Sequence, residues 1–234
     1  MIEFPDKKYQ IIYADPPWEY SSDPNSKRGI WGLAHQQYQT LSMSDLKELP
    51  VKDIADDNCI LFMWATFPNL QQALDLIKAW GFEFKTVAFV WEKLDKTNNA
   101  PKKYGLGWYT RSNCEIVMLG RKGKFNRQSA AVQQIVKSTI SNHSKKPNEV
   151  RNRIIKLCGD ISRIELFART KIPGWTCVGN ETDGQDIKTS LVQISNGNLK
   201  TICNHMIISQ NIKFRDKFED HNNFHPVFYN PPEK

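Results

Sequence analysis

The chain is expected to fold as an α/β protein around a mostly parallel sheet. Two patterns along the sequence predict this. Short runs of apolar and β-branched residues, the mark of buried strands, recur down the chain, and segments with apolar residues at helical spacing lie between them. Length agrees: 234 residues make one full domain with a real core, plus a surplus.

The first run, Tyr9 to Ala14, reads as a short buried strand. Asp15-Pro16-Pro17 stops it, because two prolines cannot continue a ladder. Residues 19–40 are polar, contain Gly and have no period, so they read as a long loop. Ser42 to Leu46 begins a short helix, with Ser42 as its cap and Asp45 in the first turn. Asn58 to Ala65 is a second buried strand. Asn69 to Trp80 carries apolar residues at 70, 73, 74, 76, 77 and 80, a helical spacing that Gly81 closes. Thr86 to Trp91 and Cys114 to Leu119 are the third and fourth strands, the latter ended by Gly120. Pro147 to Leu157 is a helix closed by Gly159. Arg163 to Ala168 and Trp175 to Val178 complete the strands. Alternating strands and helices predict the parallel sheet.

Composition narrows the class. Hydrophobic residues are 40% and charged residues 24%, close to globular averages, which excludes a disordered chain or a fibre. No apolar run reaches the roughly 18 residues of a membrane span. Met1 to Asp6 lacks the pattern of a secretory signal, so a soluble cytoplasmic protein is expected. The five cysteines are odd in number and form no C-x-x-C pair, which speaks against a disulfide framework and for a reducing compartment. The net charge of +7 is compatible with a polyanionic partner. Cys203, His205, His221 and His225 have poor spacing for zinc, and no metal is expected. Asn230-Pro231-Pro232 has no apolar strand leading into it and reads as a tail.

Asp15-Pro16-Pro17-Trp18 carries the chemistry. The tetrapeptide sits at the end of a strand, where α/β proteins bind ligands. An exocyclic amino group could give one N–H to the Asp15 carboxylate and the other to the Pro16 carbonyl, whose direction proline fixes. Trp18 could stack on the base. Such a site works by positioning and electrostatics, without a covalent step. The plain alternative is a turn after a strand.

Further pieces follow in order: Tyr38-Gln39-Thr40-Leu41-Ser42, Leu61-Phe62-Met63-Trp64, Gly107-Trp108-Tyr109-Thr110-Arg111 with Glu115, and His143-Ser144-Lys145-Lys146-Pro147-Asn148-Glu149. Ile164-Glu165-Leu166-Phe167-Ala168-Arg169, Gly174-Trp175 and Gly179-Asn180-Glu181 finish the set. In these motifs the chain, from about Gln10 to Ile187, resembles the MT-A70 family of S-adenosylmethionine-dependent adenine-N6 methyltransferases. It is more similar to the compact bacterial and phage DNA-modifying members than to the eukaryotic RNA-modifying ones.

The resemblance implies a Rossmann-like methyltransferase fold with helices on both faces. It also implies a circularly permuted order, the D-P-P-W strand preceding the cofactor strand. It implies methyl transfer to adenine N6 in DNA, with the same reaction on RNA, or a catalytically silent nucleic-acid-binding subunit, as alternatives. Asp15, Pro16, Pro17 and Trp18 would be catalytic. Asp15, Lys146, Phe167, Arg169, Asn180 and Glu181 would hold S-adenosylmethionine, Lys146 meeting its carboxylate. A lysine near a helix N-terminus is locally unfavourable, and a bound carboxylate would rationalise it. Trp31, Tyr38, Trp108 and Arg111 would contact the nucleic acid. Larger members carry an acidic cofactor contact upstream of the D-P-P-W strand. Here only Glu3 and Asp6 precede Asp15, so the contact is expected from Asp186-Ile187 or is absent.

Residues 93–127 hold nine Lys/Arg, two acids and interleaved aromatic residues, which predicts a nucleic-acid-contacting insertion. The expected organisation is a methyltransferase domain over residues 1–187 and a C-terminal extension of unassigned role over 188–234. A homodimer is compatible with so small a reading surface.

Overall fold

The computed structural model describes residues 8–19, 40–101, 109–110, 112–140, 145–179, 182, 187 and 191. Among them are seven strands in one sheet: β1 (Tyr9–Ala14), β2 (Ala55–Ala65), β3 (Glu83–Leu94), β4 (Cys114–Lys122), β5 (Ile135–Thr139), β6 (Arg163–Leu166) and β7 (Thr176–Val178). Their order is β5-β3-β4-β2-β1-β6-β7. β1 pairs in parallel with both β2 and β6, β6 with β7, and β3 with β5. Only β4 runs against its neighbours.

Helices α1 (Met43–Glu48), α2 (Val51–Ile54) and α3 (Leu70–Ala79) share a core with one face of the sheet, through Leu46, Ile54, Leu76 and Ile77. Helix α4 (Asn148–Cys158) packs Val150, Ile154 and Cys158 on the other face. The period of two decides which residue goes where. In β2, Cys59, Leu61 and Met63 meet the first core, and Ile60, Phe62 and Trp64 the second. An apolar strand without alternation is what a sheet covered on both faces requires.

The expected fold class is therefore present: a mixed, mostly parallel sheet of Rossmann-like type with helices on both faces. Four details differ from the sequence expectation. No helix joins β3 to β4 among the described residues, and β4 lies antiparallel between β2 and β3. β5 was not expected, because it is a short edge strand with only Val136 of its five residues buried. α2 was missed because four residues, Val51-Lys52-Asp53-Ile54, cannot display a period. Residues 93–127 are also not a single insertion. Lys93 and Leu94 end β3, and Cys114–Lys122 is the interior strand β4.

Buried tryptophans fix the layers. Trp64, Trp80 and Trp91 are almost fully enclosed, and each indole N–H finds an acceptor, as burial demands. Trp64 donates to the Tyr13 hydroxyl at 2.5 Å, Trp80 to the Leu46 carbonyl at 2.8 Å and Trp91 to the Ser138 carbonyl at 3.3 Å.

One edge of the sheet collects the carboxyl ends of β1, β2, β6 and β7. Ala14 is level with Met63 on one side and Leu166 on the other, and Leu166 with Val178. Because β4 is antiparallel, its beginning reaches the same edge, with Ile116 opposite Ala65 and Glu115 opposite Trp91. Past β6, Phe167 takes φ 61°, a left-handed conformation that a bulky residue adopts only when its surroundings impose it. The Ala168 N–H then bonds to the Val178 carbonyl at 2.9 Å. Gly179 lies so close that a Cβ there would stand 2.2 Å from the Ala168 oxygen and 2.7 Å from its nitrogen.

Both colliding atoms are backbone, so a side chain at 179 must move the ends of β6 and β7. Gly179→Ala is expected to lower stability by about 1–3 kcal/mol, the range for overpacking a tight site. Denaturant unfolding monitored through the tryptophans measures it.

Candidate active site

A chain of alternating charges lies at this edge. Asp15 follows β1, and its Oδ1 stands 3.0 Å from Lys146 Nζ. The same ammonium lies 3.2 Å from Glu115 Oε2. The other oxygen of Glu115 accepts from Lys93 Nζ at 2.5 Å. Four segments contribute: the end of β1, the start of β4, the end of β3, and the stretch leading into α4. Lys146 has 12% of its side-chain area exposed, Glu115 15%, Lys93 24% and Asp15 25%. Asp15 is the most open of the four, and water screens the interior pair least.

The two carboxylates are not equivalent. Burial works against ionised Glu115, but Lys146 and Lys93 outweigh it and hold its pKa below the usual carboxylate range. Burial also disfavours ionised Asp15. Lys146 opposes that effect, Glu115 adds to it, and the net shift is upward. Glu115 contacts both lysines, whereas Asp15 contacts only one of them and shares it. Burial alone would lower the pKa of Lys146, but Asp15 and Glu115 overcome this and keep it charged. A lysine one residue before the Pro147 cap of α4 is therefore explained within the protein. The bound carboxylate expected from the sequence is not needed for that purpose.

Aromatic rings floor the cluster. Lys146 Nζ lies 5.2 Å from the Trp64 ring centroid, and Lys93 Nζ lies 5.3 Å from that of Trp91, within cation–π range. The two rings meet edge to face at 6.0 Å. Beneath them, Arg151 stands over the Tyr13 ring at 5.4 Å. It also grips the buried Glu165 of β6 with two nitrogens, the Nε–Oε2 contact being 2.7 Å. This clamp ties the first turn of α4 to β6, and so fixes where the preceding Lys146 can stand.

The turn after Asp15 is also specified. The Pro16 carbonyl accepts the Trp18 N–H at 2.9 Å, and the Pro17 carbonyl accepts the Leu41 N–H at 3.2 Å. A carbonyl has two lone pairs, so the Pro16 oxygen keeps capacity for a second donor. Trp18 corrects the sequence expectation. It is 6% exposed, donates its indole N–H to the Trp64 carbonyl at 3.2 Å and belongs to the core beside α1. It braces the turn and offers almost no open face for stacking.

Asp15, Lys146, Phe167 and Arg169 are brought to one edge. Phe167 supplies the left-handed turn, and the Arg169 charge reaches Asp15, favouring its ionised form. Trp31, Tyr38, Trp108, Arg111, Asn180 and Glu181 lie outside the described residues, as do Asp186 and the motifs beyond residue 191. The sequence reading places Glu115 among the family motifs without a role and counts Lys93 only in the basic stretch. An acid beginning an otherwise apolar strand, Cys114-Glu115-Ile116-Val117-Met118, was the available signal. Lys93 corrects the basic-groove expectation, since it is the counter-ion of Glu115. Arg121, Lys122 and Lys124 are at the opposite end of β4. At roughly 3.4 Å per residue, they stand some way off.

These charges give stability a definite pH dependence. The contribution of Glu115 is complete above the unfolded-chain carboxylate range and is lost as pH falls through its lowered folded value. Asp15 runs the other way: stability falls as pH rises from the ordinary aspartate range through its raised folded value. At neutral pH, Asp15→Asn is therefore expected to match or exceed the parent in thermal stability. Lys146→Ala leaves two carboxylates facing each other and is expected to lose about 3 kcal/mol, the scale for stripping a counter-ion from a buried pair. Denaturant titration at neutral and acidic pH checks both, and the Lys146 deficit should shrink on acidification.

The MT-A70 family model matches residues 9–181, a span that includes the whole charge chain. Over 201 residues the sequence is 38% identical to the type II methyltransferase M.MunI of a Mycoplasma species, covering 80% of this chain and 83% of that one. It is 32% identical over 193 residues to the human N(6)-adenine-specific methyltransferase METTL4, covering 75% of this chain and 38% of that protein. With the human N(6)-adenosine-methyltransferase catalytic subunit METTL3 it shares 25% identity over 182 residues, 76% of this chain and 29% of the other. The chain thus spans most of the bacterial relative but less than two-fifths of these two human ones. Domain match and identity agree with the D-P-P-W edge: the chain belongs to the MT-A70 family of methyltransferases.

Proposed function

We propose that the protein transfers a methyl group from S-adenosylmethionine to the N6 amino group of adenine in DNA. The observation that carries this is the Asp15 carboxylate, under-compensated at the end of β1, next to a proline-fixed carbonyl with a spare lone pair.

Donor chemistry at the edge suits the amino-acid end of the cofactor. The Asp15 carboxylate, which shares Lys146 with Glu115, suits an ammonium, and the family resemblance assigns Lys146 to the carboxylate. The Phe167 turn and the close approach of Gly179 to Ala168 shape the neighbouring strand ends. There the family resemblance assigns Arg169, Asn180 and Glu181 to the rest of the cofactor. When bound, S-adenosylmethionine supplies an electrophilic methyl group on a positively charged sulfur.

The chain's own contribution is orientation. Asp15 accepts one N–H of the adenine amino group and the Pro16 carbonyl accepts the other. Two acceptors draw the nitrogen toward a tetrahedral shape and give its lone pair a direction. As the nitrogen–carbon bond formed, the methyl–sulfur bond would break to leave a neutral thioether; the positive charge developing on the amine would be stabilised by the Asp15 carboxylate and relieved by loss of one N–H proton. Trp18 holds this turn from the core side. In duplex DNA the base must leave the stack to reach such a site.

DNA is favoured by the greater identity and coverage with M.MunI and by the resemblance to compact bacterial and phage members. Similarity to proteins named as adenosine methyltransferases supports RNA as the second reading.

The test is incubation with methyl-labelled S-adenosylmethionine and double-stranded DNA, single-stranded DNA or RNA, followed by nucleoside analysis. Label in N6-methyldeoxyadenosine is the expected outcome. Asp15→Ala should reduce it at least about a hundredfold while remaining folded. Label confined to RNA would move the substrate and keep the reaction. No label, with S-adenosylhomocysteine bound, would overturn the reading in favour of a silent subunit.

A further inference from the structure

We infer that Glu115, anchored by Lys93, is a positioning residue that holds Lys146 against Asp15 and sets how much of its positive charge Asp15 receives. The inference rests on the reading of Asp15 given above and deepens it.

The geometry carries it. One ammonium stands between two carboxylates at 3.0 and 3.2 Å, so the charge that satisfies Glu115 is withheld from Asp15. Lys93 sits on the far oxygen of Glu115 and returns part of that charge. Among the described residues, Glu115 pairs with Lys146 and Lys93. Its charge acts on Asp15 both directly and through the shared Lys146. The charged groups acting on Asp15 come from every neighbouring element: Lys146 before α4, Glu115 on β4, Lys93 on β3 through Glu115, and Arg169 after β6. Its position over the Trp64 ring confines Lys146, so a change at Glu115 is felt as charge rather than as a wholesale move of the lysine.

Opposite signs follow for two neighbouring substitutions. Glu115→Gln keeps an acceptor for Lys146 but removes the competing anion, so Asp15 should ionise at lower pH. Lys93→Met removes a cation and leaves the Glu115 charge compensated by Lys146 alone, so Asp15 should ionise at higher pH. A purely structural role would give two losses of stability and no such opposition.

The experiment is carbon-detected NMR titration of the aspartate carboxyls in the full, ligand-free chain, with Asp15→Asn assigning the resonance by its disappearance. Glu115→Gln is expected to move the Asp15 midpoint down by about one pH unit, the scale of removing a charge at this range, and Lys93→Met to move it up. Lys137→Met, which alters only the exposed pair with Glu92, should leave it in place. The acid limb of kcat/KM for methyl transfer should follow the same directions. Midpoints that do not move, or that move the same way in Glu115→Gln and Lys93→Met, overturn the inference. If the unmodified chain transfers no methyl group, the functional reading fails while the titration still reports on Glu115, so the two failures are separable.

Discussion

One ammonium group joins parts of the chain that are remote in sequence. Lys146 Nζ meets Asp15 from the end of β1 and Glu115 from the start of β4. The contact with Glu115 would not exist if β4 ran parallel, because the beginning of a parallel strand lies at the other edge of the sheet. The antiparallel insertion of β4 between β2 and β3 is therefore what brings an acid from the middle of the chain to the D-P-P-W turn. Lys146 in turn stands where it does because α4 is fixed through Arg151 and Glu165 to β6. The salt bridge is the point at which sheet topology becomes electrostatics.

The same edge holds costs that packing alone would not choose. A phenylalanine in the left-handed region is worth roughly 1–2 kcal/mol of strain, and Gly179 leaves no room for a side chain. A carboxylate is kept where its ionised form is disfavoured. Each of these local rules is broken within a few residues of a strand end at this edge, although a second crowded glycine, Gly123, follows the far end of β4. Violations gathered in one place mark a site that trades stability for pre-organisation. The layer beneath shows the opposite habit, with buried indoles and the Arg151–Glu165 pair all satisfied.

Much of this was legible in sequence, for physical reasons. β1 and β2 are covered on both faces, so their apolar runs are unbroken, and paired prolines end β1 unmistakably. β5 was not legible because one buried valine in an edge strand makes no pattern. The direction of β4 was not legible either, since hydrophobicity marks burial and carries no information about polarity of pairing. The consequence reached the site. With β4 unplaced, Glu115 had no visible partner and Lys93 counted as one more surface cation. Trp18 was misjudged for a related reason. An aromatic ring after a strand-ending turn suits a base as well as it suits a core, and the hydrogen bond from its N–H to the Trp64 carbonyl favours the core.

The charge balance of the whole chain also takes on a different meaning. A net charge of +7 suggests a surface for polyanions, yet the lysines nearest Asp15 are committed to carboxylates. Lys146 and Lys93 neutralise Asp15 and Glu115, while Arg151 neutralises Glu165. Arg153 is held by Glu149 and by the backbone carbonyls of residues 133 and 135. Such groups add to the formal count and little to the outward field, because a compensated charge is a short-range dipole. Affinity for a phosphate backbone would then come from basic residues outside this network, while the D-P-P-W edge offers the acceptors of Asp15 and the Pro16 carbonyl. That division suits a reaction in which the backbone is held in one place and an amino group is oriented in another.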